Sequence, residues 1–272
     1  MVRNDMPNQH GDFIWYELLT TDPEAAAVFY GSVLGWEVND AGQAGMDYRL
    51  FLIGGSKIGG MMALPSDALA AGMRPVWLGY IGVDDVDVII GATTAAGGTV
   101  HMPATDIPGV GRLALLADPQ GAVFYVMRGA GEATSTAFSG TEPGHCSWNE
   151  LTTSDLTAAL EFYGARFGWA KGEVMDMGAL GDYQFITRDG RGIGAMMTRQ
   201  PDGPAPMWTY YFRVTDIDAA AASARAGGGQ IMHGPCAVPG GDHILIGADP
   251  QGALFALVGG RQGGEPLCRS QA

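Results

Sequence analysis

Two glutamates stand two residues after a tryptophan in stretches of sequence that are otherwise alike. Glu17 follows Trp15 in W-Y-E-L-L-T-T, and Glu150 follows Trp148 in W-N-E-L-T-T-S. Side chains alternate along a strand, so each tryptophan and its glutamate would share one face. Burial beside an indole raises the pKa of a carboxyl group, which can then act as a general acid or base near neutral pH. Glu17 and Glu150 are therefore the candidate catalytic residues.

The same glutamates also have a structural interpretation. A buried glutamate can bind backbone amides or an arginine and so hold the fold, and its presence in both copies favours that role. Arg213 is expected on the inner face of the second copy, where it could pair with Glu150 and offer a carboxylate or carbonyl ligand a bidentate partner. The simpler alternative is an ordinary ion pair. The first copy has Gly82 at the matching position, so Glu17 would lack this partner.

Aromatic and methionine side chains recur on the strands of both copies. On a concave face they would form an adaptable apolar pocket suited to flat organic ligands, although core packing must account for at least half of them. Alternation places Trp77 and Trp208 on the face opposite Tyr80 and Tyr211, so these two tryptophans are not candidates. The wider set includes Tyr48, Tyr183, Met61 and Met196. The candidate ligand-binding residues are Trp15, Trp148, Tyr80, Tyr211, Arg213, Tyr125, Met62, Met197 and His243.

Other familiar chemical motifs are missing from the sequence. The five histidines show no H-x-x-x-H spacing, although His145 and His243 could approach the second cleft, and His243 is matched by Arg112 in the first copy. The three cysteines have no metal-like spacing and are odd in number, so we expect reduced thiols. There is no G-x-S-x-G elbow, and the Gly-Gly pairs follow helices, not strands, so neither a hydrolase nor a phosphate loop is indicated.

The composition excludes several kinds of partner. The 272 residues carry a net charge of −14, which argues against nucleic acid and anionic membrane surfaces. No run of about twenty apolar residues occurs, so no transmembrane helix is predicted. The polar N-terminus does not resemble a signal peptide. We therefore expect a cytoplasmic protein that binds a small-molecule ligand and engages no nucleic acid and no membrane.

A long internal repeat sets the organisation of the chain. Besides the W-x-E stretches, A-D-P-Q-G-A occurs at 117–122 and again at 248–253. Asp22-Pro23 and Gly35 predict the start and end of the first helix, and short strands separated by glycines follow. Each half thus contains two β-α-β-β-β units. The predicted boundaries are 11–128 for the first domain, 129–143 for a linker, 144–259 for the second domain and 260–272 for a tail.

The chain resembles the vicinal oxygen chelate superfamily. The resemblance rests on the four units, on the F-Y-x-x-x-x-G-W signature after each first helix and on the closing D-P-Q-G. That superfamily includes glyoxalases, bleomycin-resistance proteins, fosfomycin-resistance enzymes and extradiol dioxygenases. The resemblance covers both halves and is closest to a tandem-domain, glyoxalase-like subgroup. It implies an α+β fold in which four β-α-β-β-β units form two tandem open-barrel domains, each around a cleft.

The resemblance also implies where metal ligands would lie in metal-using members. Those positions fall on Trp15 and Trp148, near Leu78 and Thr209, near Tyr125 and Ala256, and around Gly60–Met62 and Ala195–Met197. None of these side chains is a usual ligand for a divalent cation, which prefers imidazole, carboxylate or thiolate. We therefore predict neither a metal ion nor another cofactor.

Three functions follow from these observations. The first is a glyoxalase-like protein that binds and transforms a small carbonyl or aromatic metabolite without the usual metal. The alternatives are a non-catalytic module that sequesters its ligand, as in antibiotic resistance, and a metal-dependent lyase or dioxygenase. A monomer is sufficient because the chain already carries four units, and a homodimer is the alternative. Dedicated chemistry is expected in the second copy, where Arg213, His145 and His243 have no identical counterpart.

Overall fold

The computed structural model describes residues 8–42, 45 and 47–262. Cys268, most of the predicted tail and the start of the N-terminal segment lie outside the described residues. No helix in the described part of the chain is long and apolar enough to cross a membrane.

The first half contains two consecutive β-α-β-β-β units. A short helix, α2 (Ser66–Ala70), lies between them and was not predicted from the sequence. The other elements are β1 (Phe13–Thr20), α1 (Pro23–Leu34), β2 (Glu37–Asp40), β3 (Tyr48–Ile53), β4 (Ser56–Ala63), β5 (Val76–Gly82), α3 (Val86–Ala95), β6 (Thr99–Ile107), β7 (Gly111–Ala117) and β8 (Val123–Gly129).

The second half repeats this order. A short 3-10 helix at Gly178–Leu180 is an addition between two of its strands. The elements are β9 (Cys146–Thr153), α4 (Leu156–Phe167), β10 (Ala170–Asp176), β11 (Asp182–Arg188), β12 (Arg191–Thr198), β13 (Met207–Val214), α5 (Ile217–Ala226), β14 (Gln230–Ala237), β15 (His243–Ala248) and β16 (Leu254–Gly259).

Each half forms one eight-stranded sheet with the same strand order. The order is β2-β3-β4-β1-β5-β8-β7-β6 in the first half and β10-β11-β12-β9-β13-β16-β15-β14 in the second. The first strand of a unit pairs in parallel with its last strand, as β1 does with β4 and β13 with β16. The sheets end in edge strands and do not close. These observations confirm the predicted α+β class and the four β-α-β-β-β units.

Local sequence explains the ends of the first helix in each half. Asp22 accepts a hydrogen bond from the amide of Ala25, and Asp155 does the same for Ala158. Each carboxylate thereby satisfies an amide that has no partner within the helix. The helix α1 ends at Gly35, whose φ of 72° is a left-handed conformation that glycine adopts without strain. The predicted helix bounds are therefore close to the observed ones.

The strands β6 and β14 extend well beyond the predicted 99–102 and 229–232. Both continue past a proline, Pro103 in β6 and Pro235 in β14. Both are edge strands of their sheets. A proline is tolerated there because its missing amide hydrogen can face away from the neighbouring strand.

The described residues fall into two compact units that each take one β-α-β-β-β motif from each half. Unit I comprises the described residues up to Trp15, together with Leu78–Ser135 and Trp148–Thr209. Unit II comprises the described residues of Tyr16–Trp77, Thr136–Ser147 and those from Tyr210 onward. The predicted domain boundaries, which follow the repeat instead, stay a prediction.

The core of unit I contains a buried chain of hydrogen bonds built from the signature motifs. Trp208 Nε1 donates to the Tyr163 hydroxyl at 3.0 Å, and that hydroxyl donates to Asp118 Oδ2 at 3.1 Å. Asp118 Oδ1 accepts from the amides of Gln120 and Ala122, each at 2.9 Å. The aspartate of D-P-Q-G thus stabilises its own turn and binds the tyrosine of F-Y-x-x-x-x-G-W, so both motifs serve the fold.

Unit II contains the matching chain. Trp77 Nε1 donates to the Tyr30 hydroxyl at 2.9 Å, and Tyr30 donates to Asp249 Oδ2 at 2.9 Å. Asp249 also accepts from the amides of Gln251 and Ala253. Trp77 and Trp208 are therefore core residues, which agrees with leaving them out of the ligand-binding set.

Candidate functional site

In unit I the side chains of Trp148, Tyr183 and Glu150 are joined by two hydrogen bonds. Trp148 Nε1 donates to the Tyr183 hydroxyl at 2.8 Å, and this hydroxyl donates to Glu150 Oε2 at 2.7 Å. All three side chains are partly exposed. The structure thus places the candidate base Glu150 beside Trp148, as predicted from their alternate positions on one strand, and adds a phenol between them.

The strand order explains how Tyr183 reaches Glu150. Tyr183 lies on β11 and Glu150 on β9, with β12 between these two strands. The residue of β12 in register with Glu150 is Ala195, whose side chain is only a methyl group. The tyrosine can therefore extend over β12, a span of about 10 Å between the outer strands.

The surroundings of Tyr183 keep its phenol protonated. Burial raises the pKa of Tyr183 well above its usual value, and the neighbouring carboxylate of Glu150 raises it further. The hydrogen bond from Trp148 acts in the opposite direction but is the smallest effect. Tyr183 is consequently a neutral hydrogen-bond donor near neutral pH that fixes one oxygen of Glu150.

An aromatic surface adjoins this triad. Phe185 lies two residues beyond Tyr183 on β11, and its ring meets Trp148 edge-on at 5.6 Å and Tyr183 at 5.5 Å. Met197 is in register with Tyr183 and is partly exposed. Phe185 was not among the sequence candidates, although its i+2 spacing from Tyr183 on a strand was the available signal.

The matching residues of the first copy differ in the exposure of the glutamate and in the residue beside it. Glu17 is only 3% exposed, in contrast to the partly exposed Glu150. Glu17 is in register with Gly60 on β4, and the Tyr48 ring lies across Gly60, where its hydroxyl occupies the space of a β carbon. Met62 is in register with Tyr48 and partly exposed. Trp15 lies on β1 and is also partly exposed.

The prediction that Arg213 pairs with Glu150 is wrong. The guanidinium of Arg213 donates from Nη2 to Asp242 Oδ2 at 2.7 Å. Asp242 stands directly before β15, two strands from the β13 strand that carries Arg213, so it is within reach of the long side chain. Sequence alternation could identify the strand of Arg213 but not the acidic residue of a turn that folds beside it.

The remaining candidates divide between the two units. In unit I, Tyr80 and Tyr125 are in register on β5 and β8, and their rings stack at 4.2 Å with an interplanar angle of 16°. In unit II, Tyr211 is 2% exposed and is in register with Ala256, so this copy has no second ring at that position. His243 is partly exposed on β15, while Arg112 binds Asp87 and Asp106 at the surface of unit I.

The donor set does not fit the divalent metal that the family resemblance implies. Among the described residues, no group of three or more His, Cys, Asp or Glu side chains could hold a metal ion. The positions that the resemblance implies carry Trp15 and Trp148, Leu78 and Thr209, and Tyr125 and Ala256. Apolar and phenolic groups of this kind are poor ligands for Mn²⁺, Zn²⁺ or Fe²⁺.

Comparison with known proteins identifies the family. The glyoxalase/bleomycin resistance protein/dioxygenase superfamily matches the chain twice, over residues 13–126 and 143–257. The chain belongs to this superfamily. The two matches also agree with the two eight-stranded sheets and with the duplicated sequence.

Two relatives match nearly the whole of this chain. One is a protein of Mycobacterium tuberculosis (strain CDC 1551 / Oshkosh) with the provisional name glyoxylase CFP32, which is 35% identical over 247 residues, or 90% of this chain and 93% of that protein. Another is the anthracycline biosynthesis protein DnrV of Streptomyces peucetius, 31% identical over 268 residues, or 92% of this chain and 93% of that protein.

Solved structures of the superfamily have the same fold at low sequence identity. The Mn(II)-bound glyoxalase from Novosphingobium aromaticivorans has a TM-score of 0.65 and 16% identity, over 93% of this chain and 83% of that one. The 2,3-dioxygenase LapB from Pseudomonas sp. KL28 has a TM-score of 0.63 and 13% identity, over 96% of both chains. At such identities the likeness concerns the fold alone.

Proposed function

We propose that this superfamily member binds a small carbonyl or aromatic metabolite at Trp148, Tyr183 and Glu150 and transforms it by proton transfer without a divalent metal. Glu150 would remove a proton from a carbon next to a carbonyl group, and the electron pair of that bond would move onto the carbonyl oxygen. Where the deprotonated carbon also carries a hydroxyl group, the proton returns to the former carbonyl carbon and the hydroxyl proton moves to the former carbonyl oxygen, so the hydroxyl carbon becomes the new carbonyl. This isomerisation needs no oxidant and no second substrate.

The observation that carries the proposal is the hydrogen-bonded arrangement around Glu150. Tyr183 holds one carboxylate oxygen at 2.7 Å, and the group remains partly exposed. A carboxylate that is fixed in orientation and still accessible has the two properties that a general base requires. The rings of Trp148 and Phe185 supply a surface on which a flat ligand can stack.

The names of the relatives are consistent with both ligand classes. One relative carries the name of a glyoxylase and another that of an anthracycline biosynthesis protein. The first name supports a small carbonyl compound, and the second supports an aromatic one. The poor fit of the described residues to a metal favours acid–base chemistry by side chains.

The test compares Glu150→Gln with its matched control Glu17→Gln. The probes are the hemithioacetal of methylglyoxal with glutathione, followed by turnover, and quinizarin, followed by quenching of tryptophan fluorescence. We expect Glu150→Gln to lower turnover by about 10²-fold or more, the usual contribution of a general base, and Glu17→Gln to leave turnover within twofold.

Each other outcome identifies a different function. Quinizarin binding without turnover by the unmodified protein would replace the catalytic proposal with the ligand-sequestering one. Equal losses in both glutamate variants would show that the pair is structural. Turnover that depends on added Mn²⁺ would favour the metal-dependent lyase or dioxygenase.

A further inference from the structure

The face of β9 that carries Glu150 also carries a hydroxyl group. Burial alternates along this strand, so that Trp148, Glu150 and Thr152 are partly exposed while the residues between them are buried. The pairing of β9 with β12 has no bulge from Asn149 to Thr153, so the alternation is unbroken there. Trp148, Glu150 and Thr152 therefore share one accessible face.

The matching strand of the first copy has no polar group at the position of Thr152. Leu19 stands in W-Y-E-L-L where Thr152 stands in W-N-E-L-T. Each is in register with the second methionine of a Met-Met pair, Met62 for Leu19 and Met197 for Thr152, so the two positions are equivalent in their sheets. Leu19 is buried, whereas Thr152 is partly exposed. Only the second copy thus has an accessible hydroxyl group two residues after its glutamate.

The proposed proton transfer needs a hydrogen-bond donor as well as a base, because negative charge develops on the carbonyl oxygen as the carbon–hydrogen bond breaks. Trp148 Nε1 donates to Tyr183, and the Tyr183 hydroxyl donates its single proton to Glu150. The hydroxyl of Thr152 has no hydrogen-bond partner among the described residues and can rotate to donate. Thr152 is therefore the donor that this face of β9 offers to a substrate.

The spacing along β9 suits a substrate that meets both side chains. The α carbons of residues two apart on a strand are about 6.6 Å from each other. Two contacts of about 3 Å, one from Glu150 to the reacting carbon and one from Thr152 to the carbonyl oxygen, leave room for the two bonds that join these atoms. One small molecule can thus contact the base and the donor at the same time.

We propose that Thr152 is a catalytic residue that donates a hydrogen bond to the carbonyl oxygen of an α-hydroxy carbonyl substrate while Glu150 removes the proton from the adjacent carbon. Thr152 keeps its own proton. It stabilises the enolate, whose electron pair comes from the broken carbon–hydrogen bond. This assignment deepens the proposed function and rests on it, since it names the substrate class and the second residue of the same site.

Thr152→Val tests this role, because valine has nearly the same shape without the hydroxyl group. With the hemithioacetal of methylglyoxal and glutathione as substrate, kcat should fall by about 10²-fold, the usual loss for one oxyanion donor. KM should stay within about threefold, because the hydrogen bond is stronger to the charged intermediate than to the ground-state carbonyl. Thr152→Ser restores the donor and should recover kcat to within about tenfold of the unmodified protein.

Thr198→Val is the matched control for removal of a threonine hydroxyl. Thr198 is exposed on β12 and alternates with Met197, so its side chain lies on the other face of the sheet. This variant should leave kcat within about twofold, because its hydroxyl cannot reach the substrate.

A second measurement needs no turnover. The hemithioacetal is made from methylglyoxal labelled with carbon-13 at the ketone, and its carbonyl stretch is recorded by isotope-edited infrared spectroscopy on Glu150→Gln protein. A donated hydrogen bond weakens the carbonyl bond, so the band should lie at lower frequency in Glu150→Gln than in the Glu150→Gln/Thr152→Val double variant.

The outcomes separate this assignment from the proposed function. If Thr152→Val keeps full kcat, or if the valine and serine variants lose kcat equally, the role of Thr152 is overturned, while a loss in Glu150→Gln still supports the proposed function. If the unmodified protein turns over no hemithioacetal, the proposed function fails and the infrared band decides. A band shifted by Thr152→Val then supports the hydrogen bond to the carbonyl, and an unchanged band overturns it.

Discussion

At the scale of the residue, the phenol of Tyr183 sets the properties of the candidate site. It accepts from Trp148 and donates to Glu150, so one hydroxyl orders both side chains. Its raised pKa keeps it a donor because burial disfavours the phenolate, and the charge of Glu150 adds to this effect. Glu17 and Glu150 have similar sequence contexts, yet Glu17 is buried and Glu150 is partly exposed.

Replacing Tyr183 by phenylalanine should therefore change both stability and its dependence on pH. We expect a loss of about 1 kcal/mol at neutral pH, because two hydrogen bonds disappear in a partly exposed site. A group whose pKa is raised by folding contributes stability that is complete below its unfolded pKa, here about 10, and is lost as the pH rises above it. The difference between wild type and variant in urea unfolding should consequently shrink at alkaline pH.

Tyr48→Phe is the matched control for this measurement. It removes the corresponding hydroxyl of the first copy and should not alter turnover at Glu150. If the loss of unfolding free energy in Tyr183→Phe grew with pH, it would contradict the assigned environment of this phenol.

At the scale of the element, two buried Trp–Tyr–Asp chains join the helices to the D-P-Q-G turns. Tyr163 of α4 binds Asp118, which follows β7, and Tyr30 of α1 binds Asp249, which follows β15. Burial raises the pKa of Asp118, and its hydrogen bonds with Ala122 and Tyr163 only partly oppose this effect. The residues that identify the family in sequence are thus those that hold the helices to the sheets.

Tyr163→Phe should cost about 1–3 kcal/mol, because it leaves the indole of Trp208 and an oxygen of Asp118 without this partner in a buried site. Thermal or urea unfolding at neutral pH measures the loss. A change within 0.5 kcal/mol, as expected for surface substitutions, would contradict a structural role for the chain.

The pH dependence of Asp118→Asn tests the same chain independently. A carboxyl group with a raised pKa contributes most stability when protonated, below its unfolded pKa of about 4, and this contribution falls as the pH rises through the folded pKa. The stability advantage of wild type over Asp118→Asn should therefore decrease from pH 4 upward. The exposed Asp202→Asn serves as control and should show no such trend. An advantage that increases with pH would refute the direction of the shift.

At the scale of the whole molecule, duplication supplies two similar scaffolds with different side-chain arrangements. The sheets have the same strand order, but unit I carries the stacked Tyr80 and Tyr125 while unit II carries Tyr211 beside Ala256. Duplicated scaffolds of this kind allow one copy to keep the fold while the other acquires a site. The chain carries a net charge of −14. Its described residues nevertheless include no group of three or more His, Cys, Asp or Glu side chains that could hold a metal ion.

Removal of metal should accordingly leave the protein unchanged. Dialysis against EDTA should not shift the thermal midpoint, and elemental analysis of protein purified without chelator should detect less than one metal ion per chain. A metal bound at one hundred times its Kd would add about 2.7 kcal/mol of stability. A loss of that size on dialysis, restored by Mn²⁺, would contradict a metal-free site.

The fold class, the four β-α-β-β-β units and most element bounds could be predicted from the sequence alone. These features depend on local signals: Asp22 and Asp155 cap helices, Gly35 ends one, and the repeat supplies each signal twice. The sequence also predicted that Trp148 and Glu150 share a face of their strand, because alternation along one strand needs no knowledge of other strands.

The side chains that meet across strands could not be predicted without the three-dimensional arrangement of the strands. Tyr183 reaches Glu150 because β12 lies between their strands and carries Ala195 at the crossing point, and Arg213 binds Asp242 instead of Glu150. Such contacts depend on strand order and register, which bring together residues that are far apart in the chain. The physical reason is that the register of neighbouring strands, and not the order of residues along one strand, decides which side chains lie within hydrogen-bond distance.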